Sequence, residues 1–244
     1  MAVTGAVLLV SDLHLAPDTP EITARFLRFL DSTAPDAKRL IILGDLFDAW
    51  AGDDDISAPF NAHIISALRT LTNSGVALDF LPGNRDFLAG EAFATATGAH
   101  LLPDPCVVDI AGTRTLLTHG DMLCTDDADY QAWRQLARTP AWQTAFLSKP
   151  LTERKREIAA LRMRSEQAKR DKPMSIMDVN AMAVTTAFVA QGVDALIHGH
   201  THQQKRHLLT IGGQDRTRWV LGDWHAERGN ALRCSPEGWG WLDA

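Results

Sequence analysis

Short apolar runs alternate with longer amphipathic stretches from Val7 to about Leu117, a pattern that predicts layered α/β structure. The strand-length runs are Val7–Val10, Leu40–Leu43, Leu78–Leu81 and Thr115–Leu117, joined further on by Ala195–Ile197. Thr19-Pro20-Glu21 announces a helix that carries Ile22, Phe26, Leu27 and Leu30 on one face. A second helix is predicted from about Ser57 to Asn73, with Ile64, Ile65, Leu68 and Leu71 inward and Gly75 beyond its end. Val107–Ile110 and Thr113–Leu117 flank a short turn containing Gly112 and predict a hairpin.

The pattern changes between Asp126 and Gln191, which reads as helices throughout. From Lys149 to Lys172 this stretch carries nine Lys or Arg against four Asp or Glu. It also brings exposed-looking apolar residues, Trp133, Trp142, Phe146 and Leu147. A β-rich tail follows, with Arg206–Ile211, Arg218–Leu221 and Ala231–Arg233. The expectation is one domain over residues 1–244, with a helical lid inserted at about 126–191. Its aromatics beside Lys149, Arg154, Lys155 and Arg156 are what a protein would use to meet an anionic membrane or take up acyl chains; the alternative is a solvated basic helix packed on a core through its aromatics.

At 244 residues, 45% hydrophobic and 22% charged, the chain has the composition of a soluble globular protein. A net charge of -6 argues against nucleic acid as a partner. Three cysteines, Cys106, Cys124 and Cys234, have no metal-type spacing and read as reduced thiols. The N-terminus has no basic region ahead of its short apolar run, and no stretch approaches the roughly 20 apolar residues of a membrane span. A cytoplasmic protein is expected.

Seven candidate metal ligands follow the five strand-length runs: Asp12 and His14, Asp45, Asn84, His119, and His200 with His202. Donors just past buried strands sit at the rim of a sheet, where α/β proteins bind ligands. Five such rims offer more nitrogen and oxygen donors than one ion needs. Because side chains in extended backbone alternate with period 2, Asp12-Leu13-His14 and His200-Thr201-His202 are each expected to set two donors on one side. Gly44 allows a tight turn from which Asp45 points back, and its two oxygens are able to bridge ions roughly 3.5–4 Å apart. The absence of thiolate favours manganese, iron, zinc or cobalt.

The ordered set D-x-H, G-D, G-N-x-D, H-G-D and G-H-x-H, from Asp12 to His202, resembles the calcineurin-like metallophosphoesterase family. The resemblance implies a four-layer α/β/β/α sandwich with the helical insertion as a cap. It also implies one metal on Asp12, His14, Asp45 and His202, and another on Asp45, Asn84, His119 and His200. Arg85 stands where many members have histidine. A guanidinium stays charged near neutral pH, so it grips phosphate oxygens but gives no proton to a leaving group. That favours cleavage of an anhydride.

The wording around the ligands, GDLFDAW, GNRDFL, HGD through CTDD, and IMDVN, is similar to the branch of the family that cleaves UDP-2,3-diacylglucosamine. This likeness implies release of UMP and lipid X (2,3-diacylglucosamine 1-phosphate) in lipid A biosynthesis. It implies two manganese ions, hydroxide attack on the α-phosphorus, and a monomer held peripherally on the cytoplasmic face of the inner membrane. Asp45, Asn84, Arg85 and His119 would be catalytic. Asn84, Arg85, Asp127, Ser165, Lys169, Lys172 and His200 would contact substrate, Lys169 standing where relatives carry asparagine. Open alternatives are another nucleotide-sugar pyrophosphate or phosphodiester, and a non-catalytic scaffold. Asp127 also reads as a helix N-cap, Gly52-Asp53-Asp54-Asp55 as a solvated turn or else an outer loop element of the site, His225 as a residue behind the ligands, and His63, His100, His198 and His207 as structural.

Overall fold

The computed structural model describes residues 5–171 and 178–244. Two sheets face each other. In the first, β1 (Val7–Val10), β2 (Arg39–Ile42), β3 (Ala77–Phe80) and β4 (His100–Leu101) run parallel, and β10 (Asn230–Ser235) with β11 (Gly238–Asp243) extends the β1 side antiparallel. In the second, β5 (Cys106–Ile110) pairs with β6 (Thr113–Leu117), followed by β7 (Ala195–His198), β9 (Gln214–Val220) and β8 (Lys205–Ile211).

Period-2 alternation sorts these strands into three cores. Val7, Leu9, Ile41 and Leu43 point between the sheets and meet Leu117, Ile197 and Trp219 of the second sheet. Leu8, Val10, Leu40 and Ile42 point the other way, against helices α1 (Pro20–Ser32), α2 (Pro59–Asn73) and α3 (Glu91–Thr97). Leu116 and Leu196 face Val184 and Phe188 of the helix Ala181–Gln191. The result is a four-layer α/β/β/α sandwich. That last helix, α7, is thus the outer layer over the second sheet.

Both expected helices form, with Phe26 and Leu30 of α1 and Ile64, Leu68 and Leu71 of α2 buried. The hairpin turns on Ala111 and Gly112, both at positive φ (52° and 81°), a twist suited to paired strands. Helix α3 and strands β4 and β11 lack an apolar run long enough to announce them.

Helices α4 (Ala128–Ala137), α5 (Pro140–Leu147) and α6 (Leu151–Asp171) cover the C-terminal ends of the strands. Their aromatics do not face solvent as expected: Phe146 is buried, stacked on Trp142 at 4.8 Å, and Trp133 meets Trp142 edge-on at 5.3 Å. The basic cluster is likewise mostly engaged. Lys149 pairs with Glu157, the buried Arg154 with Asp54, and Lys155 with Asp55. The acidic loop is therefore no solvated turn. Asp53 accepts from the Gly90, Ala92 and Phe93 amides at the start of α3, and Asp54 and Asp55 hold α6. Among the described residues, no helix is long and apolar enough to cross a membrane.

Candidate metal centre

Ligands past β1, β2 and β3 of one sheet meet ligands past β6 and β7 of the other, because the facing sheets open on one rim. The local backbone differs from the extended form the spacing suggests. Asp12, His14, Asp45, His200 and His202 all take positive φ, between 49° and 68°. Asp and His tolerate the left-handed region better than most residues, and strain of this kind concentrates at functional sites. The glycines are demanded by close approach. A Cβ on Gly83 would lie 2.2 Å from Asp45 Oδ1, and one on Gly199 would lie 2.3 Å from Asp12 Oδ2.

Two overlapping groups result. In one, His202 Nε2 lies 3.4 Å from Asp12 Oδ1 and 3.3 Å from His14 Nε2, and His14 Nδ1 lies 3.9 Å from Asp45 Oδ2. In the other, Asn84 Oδ1 is 2.9 Å from both His119 Nε2 and His200 Nδ1, with His119 Nε2 3.7 Å from Asp45 Oδ1. Asp45 thus turns one oxygen to each group, the arrangement a bridging carboxylate needs.

The buried polar atoms fit a cation. Asp12 Oδ2 accepts from Ser11 Oγ at 2.6 Å and the His200 amide at 2.9 Å, while Asp12 Oδ1 is buried with no hydrogen-bond partner. His14 Nδ1 is orphaned in the same way. Such groups are costly to bury unless something satisfies them. His119 Nδ1 donates to the Leu43 carbonyl at 2.9 Å, which reserves Nε2 for the site.

The charges agree. Burial disfavours an imidazolium at His119, but the carboxylates of Asp45, Asp12 and Asp121 outweigh it and hold the ring up at about 9. Burial also opposes charge at His202, where the nearby carboxylates of Asp12 and Asp223 hold it at about 10. His14 is pushed down to about 3, chiefly by burial, and burial pushes Asp45 up. Without an ion, the cluster keeps protons where divalent charge would sit.

A cleft of about 580 Å³ leads away from this centre. Asn84, Arg85, His200 and His202 line it from the ligand loops, and Trp133, Trp142, Phe146, Ile158 and Leu161 line it from the cap helices. Asp127, which caps α4 through the Tyr130 amide at 3.1 Å, and the exposed Ser165 also line it. Lys169 lies in α6 with its side chain outside the description, and Lys172 lies outside the described residues.

Several supporting residues escaped the sequence reading. Asp86 is fully buried and accepts from the Gly83 and Leu46 amides at 2.8 Å, tying the second cluster to the third. Asp121 binds Tyr130 Oη at 2.6 Å and Arg134 Nε at 2.8 Å. Both end motifs already quoted, G-N-R-D and H-G-D, so their place was the available signal. Asp223 lies 3.2 Å behind His202, with His225 on its other oxygen.

The family signature described as calcineurin-like phosphoesterase matches residues 5–204. A UDP-2,3-diacylglucosamine hydrolase of Aromatoleum aromaticum is 49% identical over 220 residues, covering 90% of this chain and 89% of that protein. The protein of that name from Stenotrophomonas maltophilia (strain R551-3) is 49% identical over 240 residues, 95% of this chain and 96% of its own length. One from Escherichia coli O81 is 48% identical over 222 residues, 91% and 92% of the two chains.

Proposed function

The chain belongs to the calcineurin-like phosphoesterase family, which binds divalent metal, and we propose that it hydrolyses the pyrophosphate of UDP-2,3-diacylglucosamine. The products are UMP and 2,3-diacylglucosamine 1-phosphate. One observation carries the reading: a single cleft joins the ligand cluster to an aromatic and aliphatic chamber under the cap. A diphosphate held against the ligand loops and acyl chains held against the apolar side chains of the cap would suit that lining.

Asp12, His14, Asp45 and His202 would hold one ion, and Asp45, Asn84, His119 and His200 a second. The all-oxygen-and-nitrogen donor set suits manganese. When bound, two divalent ions would supply a nucleophile at neutral pH and polarise phosphoryl oxygens. The chain's own groups do the rest. The Arg85 amide donates to Asp45 Oδ1 at 2.8 Å, fixing that residue beside the bridging carboxylate. Among the described residues, no carboxylate pairs with the Arg85 guanidinium, which lines the cleft. It is available to grip phosphate oxygens and stabilise charge as the bond breaks. A guanidinium offers no proton to a leaving group, which suits a sugar phosphate that departs as a stable anion. Asn84 and His200 would position the phosphate, and the family resemblance offers Asp127, Ser165, Lys169 and Lys172 as further substrate contacts. Exposed Leu136, Leu147 and Met163 on the cap helices support a peripheral position at the inner membrane's cytoplasmic face.

Purified protein incubated with the lipid substrate and Mn²⁺ is expected to release UMP, Asp45→Ala is expected to release almost none, and the deacylated nucleotide sugar is expected to turn over poorly. Absence of UMP, with Asp45→Ala indistinguishable from the parent, would end this reading. Equal turnover of acylated and soluble substrates would move it to another nucleotide-sugar pyrophosphate.

A further inference from the structure

Strand β9 lies beside β7 and parallel to it, so its C-terminal end opens on the same rim as His200 and His202. The chain leaves β9 as Leu221-Gly222-Asp223-Trp224-His225, a second case, after Leu43-Gly44-Asp45, of an apolar strand run followed directly by glycine and a carboxylate. The loop is pinned to the ligand loops. The Trp224 amide donates to the Asp12 carbonyl at 3.2 Å, and its buried ring meets Phe26 and Phe29 edge-on at 5.8 and 5.6 Å. The Asn230 side chain holds the Asp223 carbonyl.

This places Asp223 Oδ2 3.2 Å from His202 Nδ1, on the face of the ring away from the cluster. His202 otherwise has little to hold it: it lies in a loop at φ 58°, with 37% of its side chain exposed. We propose that Asp223 is a positioning residue for metal binding. It accepts the Nδ1 proton of His202, fixing the tautomer and the ring so that Nε2 stays aimed at Asp12 Oδ1, 3.4 Å away. His225, on the second Asp223 oxygen at 3.2 Å, steadies the carboxylate from the solvent side. His119 has the equivalent support from the Leu43 carbonyl. The inference rests on the two-metal reading above, and it assigns Asp223 to the ion of Asp12, His14 and His202 alone.

The test is Mn²⁺ binding by calorimetry and electron paramagnetic resonance on the full chain, with Asp223→Ala and the nearly isosteric Asp223→Asn. Asp223→Ala is expected to weaken one ion by about 10–100-fold and spare the other. At subsaturating Mn²⁺ the spin-coupled signal of paired ions gives way to that of isolated Mn²⁺. Asp223→Asn is expected to recover much of the loss, since its amide oxygen still accepts from Nδ1–H. A general loss of packing would weaken both ions and lower the melting temperature, and that result overturns the proposal. So does Asp223→Ala binding both ions within about twofold of the parent. If the parent itself takes up no Mn²⁺, the two-metal reading falls and this inference with it.

Discussion

Metal binding by this chain is expected to expel about two protons at pH 8. In the metal-free protein, His119 is held at about 9 and His202 at about 10, each above the ordinary 6.5 of an imidazole. Both are therefore charged at pH 8, and both must become neutral to ligate. His14, pushed down to about 3 by burial, is already neutral and contributes no proton. The sign follows: the proton competes with the ion below each raised pKa, so affinity increases with pH and levels off above about 9 at the His119 site. Each displaced proton makes affinity change by about tenfold per pH unit in this window. For His119, wholly buried and one pH unit below its midpoint, expelling the proton costs about 1.4 kcal/mol. His202 is partly exposed, so solvent screens its charge. Titrating Mn²⁺ by calorimetry in buffers of different ionisation enthalpy reads the proton count directly. A count near zero, or an affinity flat from pH 7 to pH 8.5, would show that the carboxylates do not hold the imidazoles charged and would refute the reasoning.

Two further outcomes are expected. Arg154→Ala removes a guanidinium that is 2% exposed and leaves the Ala51 and Lys149 carbonyls short of a donor. With the ion pair to the 57%-exposed Asp54 discounted, the loss of stability in urea unfolding should be about 2–4 kcal/mol. A change below about 0.5 kcal/mol would mean that α6 is not held there. Arg85→Ala should lower kcat by about 10²–10³, the usual cost of one charge-stabilising donor. Its metal content should stay at the parent level, with partial recovery in Arg85→Lys. Loss of metal together with activity would make Arg85 a structural residue instead.

The strands, the order of the ligand clusters and the glycines before them were legible because each is a local signal: an apolar run, then a residue that must approach another backbone. The ligand backbone was not. Alternation with period 2 puts Asp12 and His14 on one side of an extended segment, yet both are left-handed and converge with Leu13 buried between them. The acidic loop misled for a different reason. Asp54 and Asp55 meet Arg154 and Lys155 a hundred residues away, and no local pattern distinguishes a solvated aspartate from one awaiting a distant arginine. Asp223 was missed because it supports a ligand from behind, although its strand-glycine-carboxylate setting repeats that of Asp45.

Asp121 connects the chemistry to the cap. It follows His119 by two residues, is wholly buried, and takes its counter-charges from α4 through Arg134 and, at 3.6 Å, Arg138. Those arginine charges and that of His119 hold its carboxyl well below the ordinary range despite burial, which acts the other way. Arg134 also reaches Asp104 at 2.8 Å, whose other oxygen accepts from Thr118 beside His119. Tyr130, on the same helix, bonds Asp121 and lies with its ring stacked on His200 at 6.0 Å. Pulling α4 away would strand a buried carboxylate next to the metal cluster, a loss of several kcal/mol. Helix α4, which lines the cleft, is thereby fixed to the loop that presents a ligand.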